Sequence, residues 1–246
     1  MYRADLAHIH HEGFSEFARS AAPGVLELLR RAGIDQGRVV EVGCGSGVLA
    51  RELAKAGYEV VAYDASPAMI ELARRVIPSE VEGSPEADSF TAGDPSTSLG
   101  MTPRFAVARF EDAPLTNADA ILAMGEVLNY GDIRSFLPRA AASAARFLLF
   151  DIAEKGSYPA YDERRIGGDD WSVIVVKESD GARLTRRVLT FRQLGGQTHR
   201  DEEMHHLELY DRDEILSLLP GFRVRIRRSY GRRRLPKGHA VYVATR

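Results

Sequence analysis

VVEVGCGSGVLA, residues 39–50, sets three glycines, Gly43, Gly45 and Gly47, directly behind a β-branched run that passes through Glu41 and ends at Val42. The β-branched run predicts a buried strand over Arg38 to Val42, and the residues after Gly47 predict a helix to about Lys55. A strand that turns tightly into a helix leaves unpaired backbone N–H groups at the helix N-terminus, where anionic or electron-rich ligand atoms are stabilised. Glycine there lets the backbone touch the ligand. The spacing is Gly-x-Gly-x-Gly, whereas a pyrophosphate seat uses Gly-x-Gly-x-x-Gly; Glu41 would repel a pyrophosphate and suits a cationic ligand.

On either side the same alternation continues. Upstream, Val25, Leu26, Leu28 and Leu29 recur at helical spacing up to a C-cap at Gly33. Downstream, YEVVAYD (58–64) predicts a second strand ending in Asp64, whose carboxylate can accept both hydroxyls of a ribose. SPAMIELARRVI opens a helix with Ser66 as N-cap and Pro67 at its first position. Strand, helix, strand and helix joined by short loops specify a parallel sheet covered on both faces. Residues 79–102, rich in Ser, Gly, Pro and acidic residues, predict a flexible surface insertion. RFAVARF, ADAILAMGEVLNY and RFLLFDIA then predict strands three to five, with a helix from about Ile133 to Ala145 between the last two.

From Trp171 the period changes to two. WSVIVVK and RLTRRVLTF read as a hairpin around Asp180-Gly181, and DEEMHHLELY alternates as well, so residues 157–210 predict a small antiparallel cap inserted in the core fold. DRDEILSLLPGF predicts a helix with a capping box of Asp211 and Glu214, and FRVRIRRSY and HAVYVAT predict two final strands.

VVEVGCGSG, VVAYDASPAMIELAR, RFEDAPL and AILAMGEVLNY, in this order and spacing, resemble the successive motifs of the class I methyltransferases that use S-adenosyl-L-methionine and release S-adenosyl-L-homocysteine. The resemblance covers roughly residues 20–155. It implies an α/β fold, a Rossmann-like doubly wound seven-stranded sheet with only the last strand antiparallel, within a single domain of residues 1–246. Carried over by position, it places Glu41, Gly43, Cys44, Gly45 and Gly47 around the methionine part of the cofactor and Asp64 on the ribose. Ala65 and Met69 would line the adenine region, Phe110 and Glu111 would contact the adenine, and Gly125 would sit on the methionine side. The tail from Trp171 resembles a subgroup whose extra strands roof a small-molecule acceptor pocket.

Methyl transfer from a sulfonium is an in-line displacement, so the protein chiefly aligns the acceptor and excludes water. A base helps where the acceptor is an amine or hydroxyl. Glu126, just past the fourth strand, and His205 are the candidates for that chemistry, and His10, Phe14, Asn129, Tyr130, Trp171 and Arg187 are candidates for the acceptor pocket. The histidines at 8, 10, 11, 205 and 206 lack a recognised metal-ligand spacing, and no metal is expected. Seven arginines between Arg223 and Arg234 read as the wet face of a strand and its turn, with a phosphate-binding patch for RNA as the competing reading. Two rival functions would use the same fold: a nicotinamide-dependent oxidoreductase, and a nucleotide-binding protein without catalysis.

Composition narrows the partners. A formal charge of −2 over 246 residues excludes a general attraction to nucleic acid or anionic membrane. The lone Cys44 excludes an internal disulfide, and no apolar run approaches the ~20 residues of a membrane span. The N-terminus carries charges and histidines where a signal peptide needs an apolar core, so a cytoplasmic monomer or homodimer acting on a small molecule is expected.

Overall fold

The computed structural model describes residues 2–75 and 101–246. The insertion read at 79–102 lies outside the described residues except for Met101 and Thr102. The chain opens in one 28-residue helix, α1 (Ala4–Arg31), much longer than the Val25–Leu29 periodicity suggests. Leu6 and Ile9, on its polar, histidine-rich first half, are buried against the cap rather than the main core, and that contact carries the helix back to its start. β1 (Arg38–Val42), α2 (Val48–Lys55), β2 (Glu59–Asp64), α3 (Pro67–Arg75) and β3 (Arg104–Val107) follow. Ser66 accepts from the Met69 N–H at 3.2 Å, as its N-cap position demands. Next come β4 (Ala120–Ala123), a single 3-10 turn (Val127–Tyr130), α4 (Ile133–Ala142) and β5 (Phe147–Ala153).

The cap is a four-stranded antiparallel sheet: β6 (Tyr161–Gly167), β7 (Trp171–Ser179), β8 (Arg183–Leu194) and β9 (Gln197–Glu208). Sequence alternation reveals the last three. β6 is not legible in the sequence, because it is mostly exposed and has no apolar face. α5 (Arg212–Ser217), β10 (Arg223–Arg227), the short pair β11 (Ser229–Tyr230) and β12 (Arg233–Arg234), and β13 (His239–Thr245) complete the chain. The capping box expected at α5 does not form: the Asp211 carboxylate pairs with Lys155 at 2.6 Å and Glu214 pairs with Arg134.

The main sheet runs β10-β13-β5-β4-β1-β2-β3, with β13 antiparallel to both neighbours and every other pair parallel. β4 and β5 are buried at every position, as strands covered on both faces must be. α1 and α2 cover one face and α4 and α5 the other, giving two apolar cores. Strand order reverses between β1 and β4, and their carboxyl ends form the crevice in which open α/β sheets bind ligands. The cap leaves the core after β5 and returns at Tyr210, where Glu154 and Tyr210 bridge, so it hangs over that same edge.

α1 is pinned to the short β11–β12 pair by a close approach at Gly24. A Cβ there would stand 2.5 Å from the Tyr230 carbonyl carbon and 2.6 Å from the Gly231 nitrogen. Gly→Ala within a helix normally stabilises by about 1 kcal/mol, but here overpacking against backbone outweighs it. Gly24→Ala is expected to lose about 2 kcal/mol in urea unfolding. A gain in stability would show that the helix can retreat from β11.

Candidate active site

The loop after β1 is built from left-handed backbone: Gly43, Gly45 and Gly47 have φ of 70°, 54° and 76°. They serve different ends. A side chain at Gly43 would run into Val127, and one at Gly47 into the Phe105 ring at 2.6 Å, so these two let the loop pack on its neighbours. Chain neighbours aside, no atom of the described residues lies within 4 Å of where a Cβ would be at Gly45, or at Gly125 beyond β4, at φ 93°. These two open positions leave bare backbone facing the crevice.

Asp64 organises the loop from the end of β2. One carboxylate oxygen accepts the Gly45 N–H at 2.9 Å and the other the Ser66 N–H at 2.8 Å, leaving a lone pair on each for a ligand hydroxyl. Burial raises its carboxyl above the ordinary range despite those two donors. Glu41 is 3% exposed, and its Oε2 has no partner among the described residues. Burial first, and the Asp64 charge second, push it up to about 8. A folded value above the unfolded 4.5 means that the contribution of Glu41 to stability is complete below pH 4.5 and disappears as pH rises towards 8. Glu41→Gln is therefore expected to gain stability relative to the parent between about pH 5 and pH 8 in paired urea titrations. A difference that stays constant with pH would contradict the buried carboxyl.

Around this loop the sequence-expected residues divide. Ala65 is half-buried beside Asp64, and Met69 is buried below it. The Cys44 side chain lies in the core, and its N–H is bound to the Tyr63 carbonyl. Phe110 points into the core, edge-on to Phe136, so its ring does not face the crevice. Glu111 accepts from Arg109 and from the Asp132 N–H. α1 crosses above: His11 Nδ1 meets Ser46 Oγ at 2.8 Å, Ser66 Oγ donates to the Tyr2 carbonyl, and His10 stacks on Phe14. Burial lowers His10 to about 4, so its ring is neutral at physiological pH.

On the acceptor side the structure gives three of the expected residues partners of their own. Asn129 donates to the carbonyls of Ala153 and Glu208 and accepts the Ala153 N–H, which makes it a latch between the turn and the cap rather than a substrate contact. Trp171 packs on Gly13 and Phe14, joining cap to α1. Arg187 lies on the outer face of the cap, half-exposed and 3.8 Å from Glu202. The inward arginine is Arg186, directly across from His205. The alternation of β8 puts one of the two arginines inside, but only the register shows which.

Arg186 and Glu126 form the centre of a buried network. Glu126 Oε2 accepts from Arg186 at 3.0 Å and from the Tyr158 hydroxyl at 2.9 Å, while Oε1 lies 3.3 Å from His239 Nδ1. Burial pushes Glu126 upward, but Arg186, His239 and Tyr158 outweigh it and hold the carboxyl below its usual range. Its backbone is left-handed, φ 61°, held by Asp151, which accepts the N–H groups of Gly125 and Glu126 and the Tyr230 hydroxyl. Burial lifts Asp151 to about 6. Arg186 also donates to Tyr130 at 2.7 Å, whose hydroxyl is 3.3 Å from that of Tyr2. Tyr2, Tyr158, Asp151 and His239 come from segments whose local sequence carries no signal for this site.

A concavity of about 450 Å³ at the opposite end of the sheet is lined by Arg38, Glu59, Asn117 and Asp119. That is the amino edge of β1 and β2, away from every group above, and we place the site at the carboxyl edge. A glycine loop over a strand-to-helix turn, with a carboxylate ending the next strand at a topological switch point, defines a nucleoside-binding α/β protein. A family model described as a methyltransferase domain matches residues 12–153, more than half of the chain, and the chain belongs to that family. Magnesium-protoporphyrin O-methyltransferase of Rhodobacter capsulatus is 30% identical over 123 residues, 49% of this chain and 47% of that protein. The chain thus matches about half the length of this curated relative. Among solved structures, an S-adenosylmethionine-dependent methyltransferase of Clostridium acetobutylicum superposes with TM-score 0.75 at 15% identity, covering 97% of this chain and 96% of that one. An amino pentose methyltransferase of Micromonospora echinaspora, solved with S-adenosylmethionine bound, superposes with TM-score 0.69 at 17% identity, covering 100% and 98%. The fold, cap included, is that of these enzymes. Among the described residues no helix is long and apolar enough to cross a membrane.

Proposed function

We propose that the protein transfers a methyl group from S-adenosylmethionine to a nitrogen or oxygen of a small molecule in a cytoplasmic setting. The supporting observation is the open, glycine-bared crevice at Gly45 and Gly125, flanked by Glu41 and Asp64. The residues fit this cofactor. Asp64 has lone pairs left for two ribose hydroxyls, Gly45 and Gly125 admit the methionine part against bare backbone, and the Glu41 carboxyl, held protonated near neutral pH by burial, keeps one oxygen without a partner among the described residues to accept from an ammonium. When bound, the cofactor supplies an electrophilic methyl on a sulfonium. The protein's part is to position the acceptor and keep water out, which α1 and the cap do by closing over the sheet edge through His11–Ser46, Tyr2–Ser66 and an Asp5–Arg192 ion pair of 3.0 Å. A sheet edge roofed in this way suits a small acceptor better than a polymer, in keeping with the amino pentose methyltransferase it superposes on.

Isothermal titration with S-adenosylhomocysteine and, in parallel, NADH tests the reading. Micromolar binding of the first and none of the second is expected, followed by methyl transfer to small amines or alcohols. Heat from NADH alone would return the protein to the oxidoreductase class.

A further inference from the structure

Glu203 and His205 stand next to each other on the inner face of β9, 6% and 4% exposed. His205 Nε2 lies 3.3 Å from Glu203 Oε2, and neither atom has a hydrogen-bond partner among the described residues. The other oxygen of Glu203 accepts the Arg3 N–H at 2.9 Å, which anchors the carboxylate from the N-terminal segment. A proton on Nε2 of the neighbouring histidine, turned to Oε2, is what would satisfy both bare atoms. That choice selects the tautomer: Nε2 carries the proton, and Nδ1 keeps its lone pair for another partner. Tyr2 and Tyr130 flank the ring edge-on, with centroids 5.3 and 5.8 Å away. The remaining ionisable neighbours are already engaged. Arg186, across the strand pair, is turned to Glu126 and Tyr130; Arg3 is 3.9 Å from Glu203; His10 lies beyond Tyr2.

We infer that Glu203 and His205 form the proton-accepting pair of the acceptor site, and that the acceptor carries a proton it must lose, as an ammonium or hydroxyl does and a carboxylate does not. This rests on the methyl-transfer reading above. His205 is the catalytic residue, and Glu203 positions it, as a carboxylate orients the imidazole of a hydrolytic triad. Glu126 is unsuited to the part, since Arg186, Tyr158 and His239 already surround its carboxylate. In the step itself Nδ1 takes the proton of the acceptor, whose lone pair forms the bond to the methyl carbon while the carbon–sulfur pair returns to sulfur. With an ammonium the proton leaves first and frees the lone pair. The imidazolium, balanced by Glu203, then releases its proton to solvent.

Proton and nitrogen magnetic resonance of the full chain, labelled at histidine, reads the pair directly, both free and with S-adenosylhomocysteine. A low-field Nε2–H signal sheltered from exchange is expected, and it should vanish in Glu203→Ala and in His205→Gln. A proton found on Nδ1, or a signal untouched by Glu203→Ala, would overturn the pairing. With labelled S-adenosylmethionine and benzylamine, phenol and benzoate as probes, transfer to the amine or the phenol is expected to fall about 100-fold in His205→Gln. Glu203→Gln should lower kcat while leaving KM for the amine unchanged, and exposed His206→Gln leaves the rate unchanged. Transfer to benzoate alone, or a full rate in His205→Gln, would refute the inference. Because the resonance is also read in the free chain, failure of S-adenosylhomocysteine to bind, which would refute methyl transfer, is separable from failure of the pair.

Discussion

Asp64→Ala is expected to weaken S-adenosylhomocysteine binding by about 100-fold, or ~2.7 kcal/mol, with the fold intact by circular dichroism. Two losses combine. The N–H groups of Gly45 and Ser66 lose the acceptor that shapes the loop, and the two ribose hydroxyls lose theirs. Charge-assisted hydrogen bonds contribute about 1.5–3 kcal/mol each to a desolvated partner, so losing even part of them is readily measured by calorimetry. Asp64→Asn keeps one acceptor oxygen and should fall between the two, near tenfold. A loss below about threefold in Asp64→Ala would mean that no ribose lies there, and the cofactor assignment would fall with it.

Arg186→Ala should have the largest effect on stability, about 3–5 kcal/mol, seen as a fall in Tm of roughly 10 °C. Removing the guanidinium leaves the Glu126 carboxylate, 19% exposed, facing only a hydroxyl and a neutral imidazole. An uncompensated charge in such a place costs more than the pair ever contributed. The double variant Arg186→Met with Glu126→Gln is expected to recover much of the loss, since it removes both charges and keeps the volume. Equal losses in the single and the double variant would show that Arg186 acts through packing alone. Glu126→Gln by itself should reduce turnover, with cofactor affinity changed far less than in Asp64→Ala, because the Glu126 side chain is turned to Arg186 and Tyr158 while Asp151 holds the Gly125 N–H.

The doubly wound core, the glycine loop and Asp64 are legible in the chain because their signals are local. A β-branched run, three glycines and a helical period each constrain the backbone within a few residues, and strand-helix alternation leaves few topologies open. The acceptor side is only half legible. Alternation on β9 places Glu203 and His205 on one face, yet the sequence points to Arg187 where Arg186 belongs, since shifting a strand by one residue turns every side chain over and the sequence does not state the pairing of β8 with β9. Glu126 is visible at the end of β4, but not its partners Tyr158, Arg186 and His239, which arrive from a loop, the cap and the last strand. Likewise the helical period at Val25–Leu29 does not announce the histidine-rich start of α1, which is fixed by the cap burying Leu6 and Ile9. Conformational preference is written residue by residue and can be read from the sequence alone. Which buried charge meets which partner depends on contacts between segments far apart in the chain, and only the folded structure decides them.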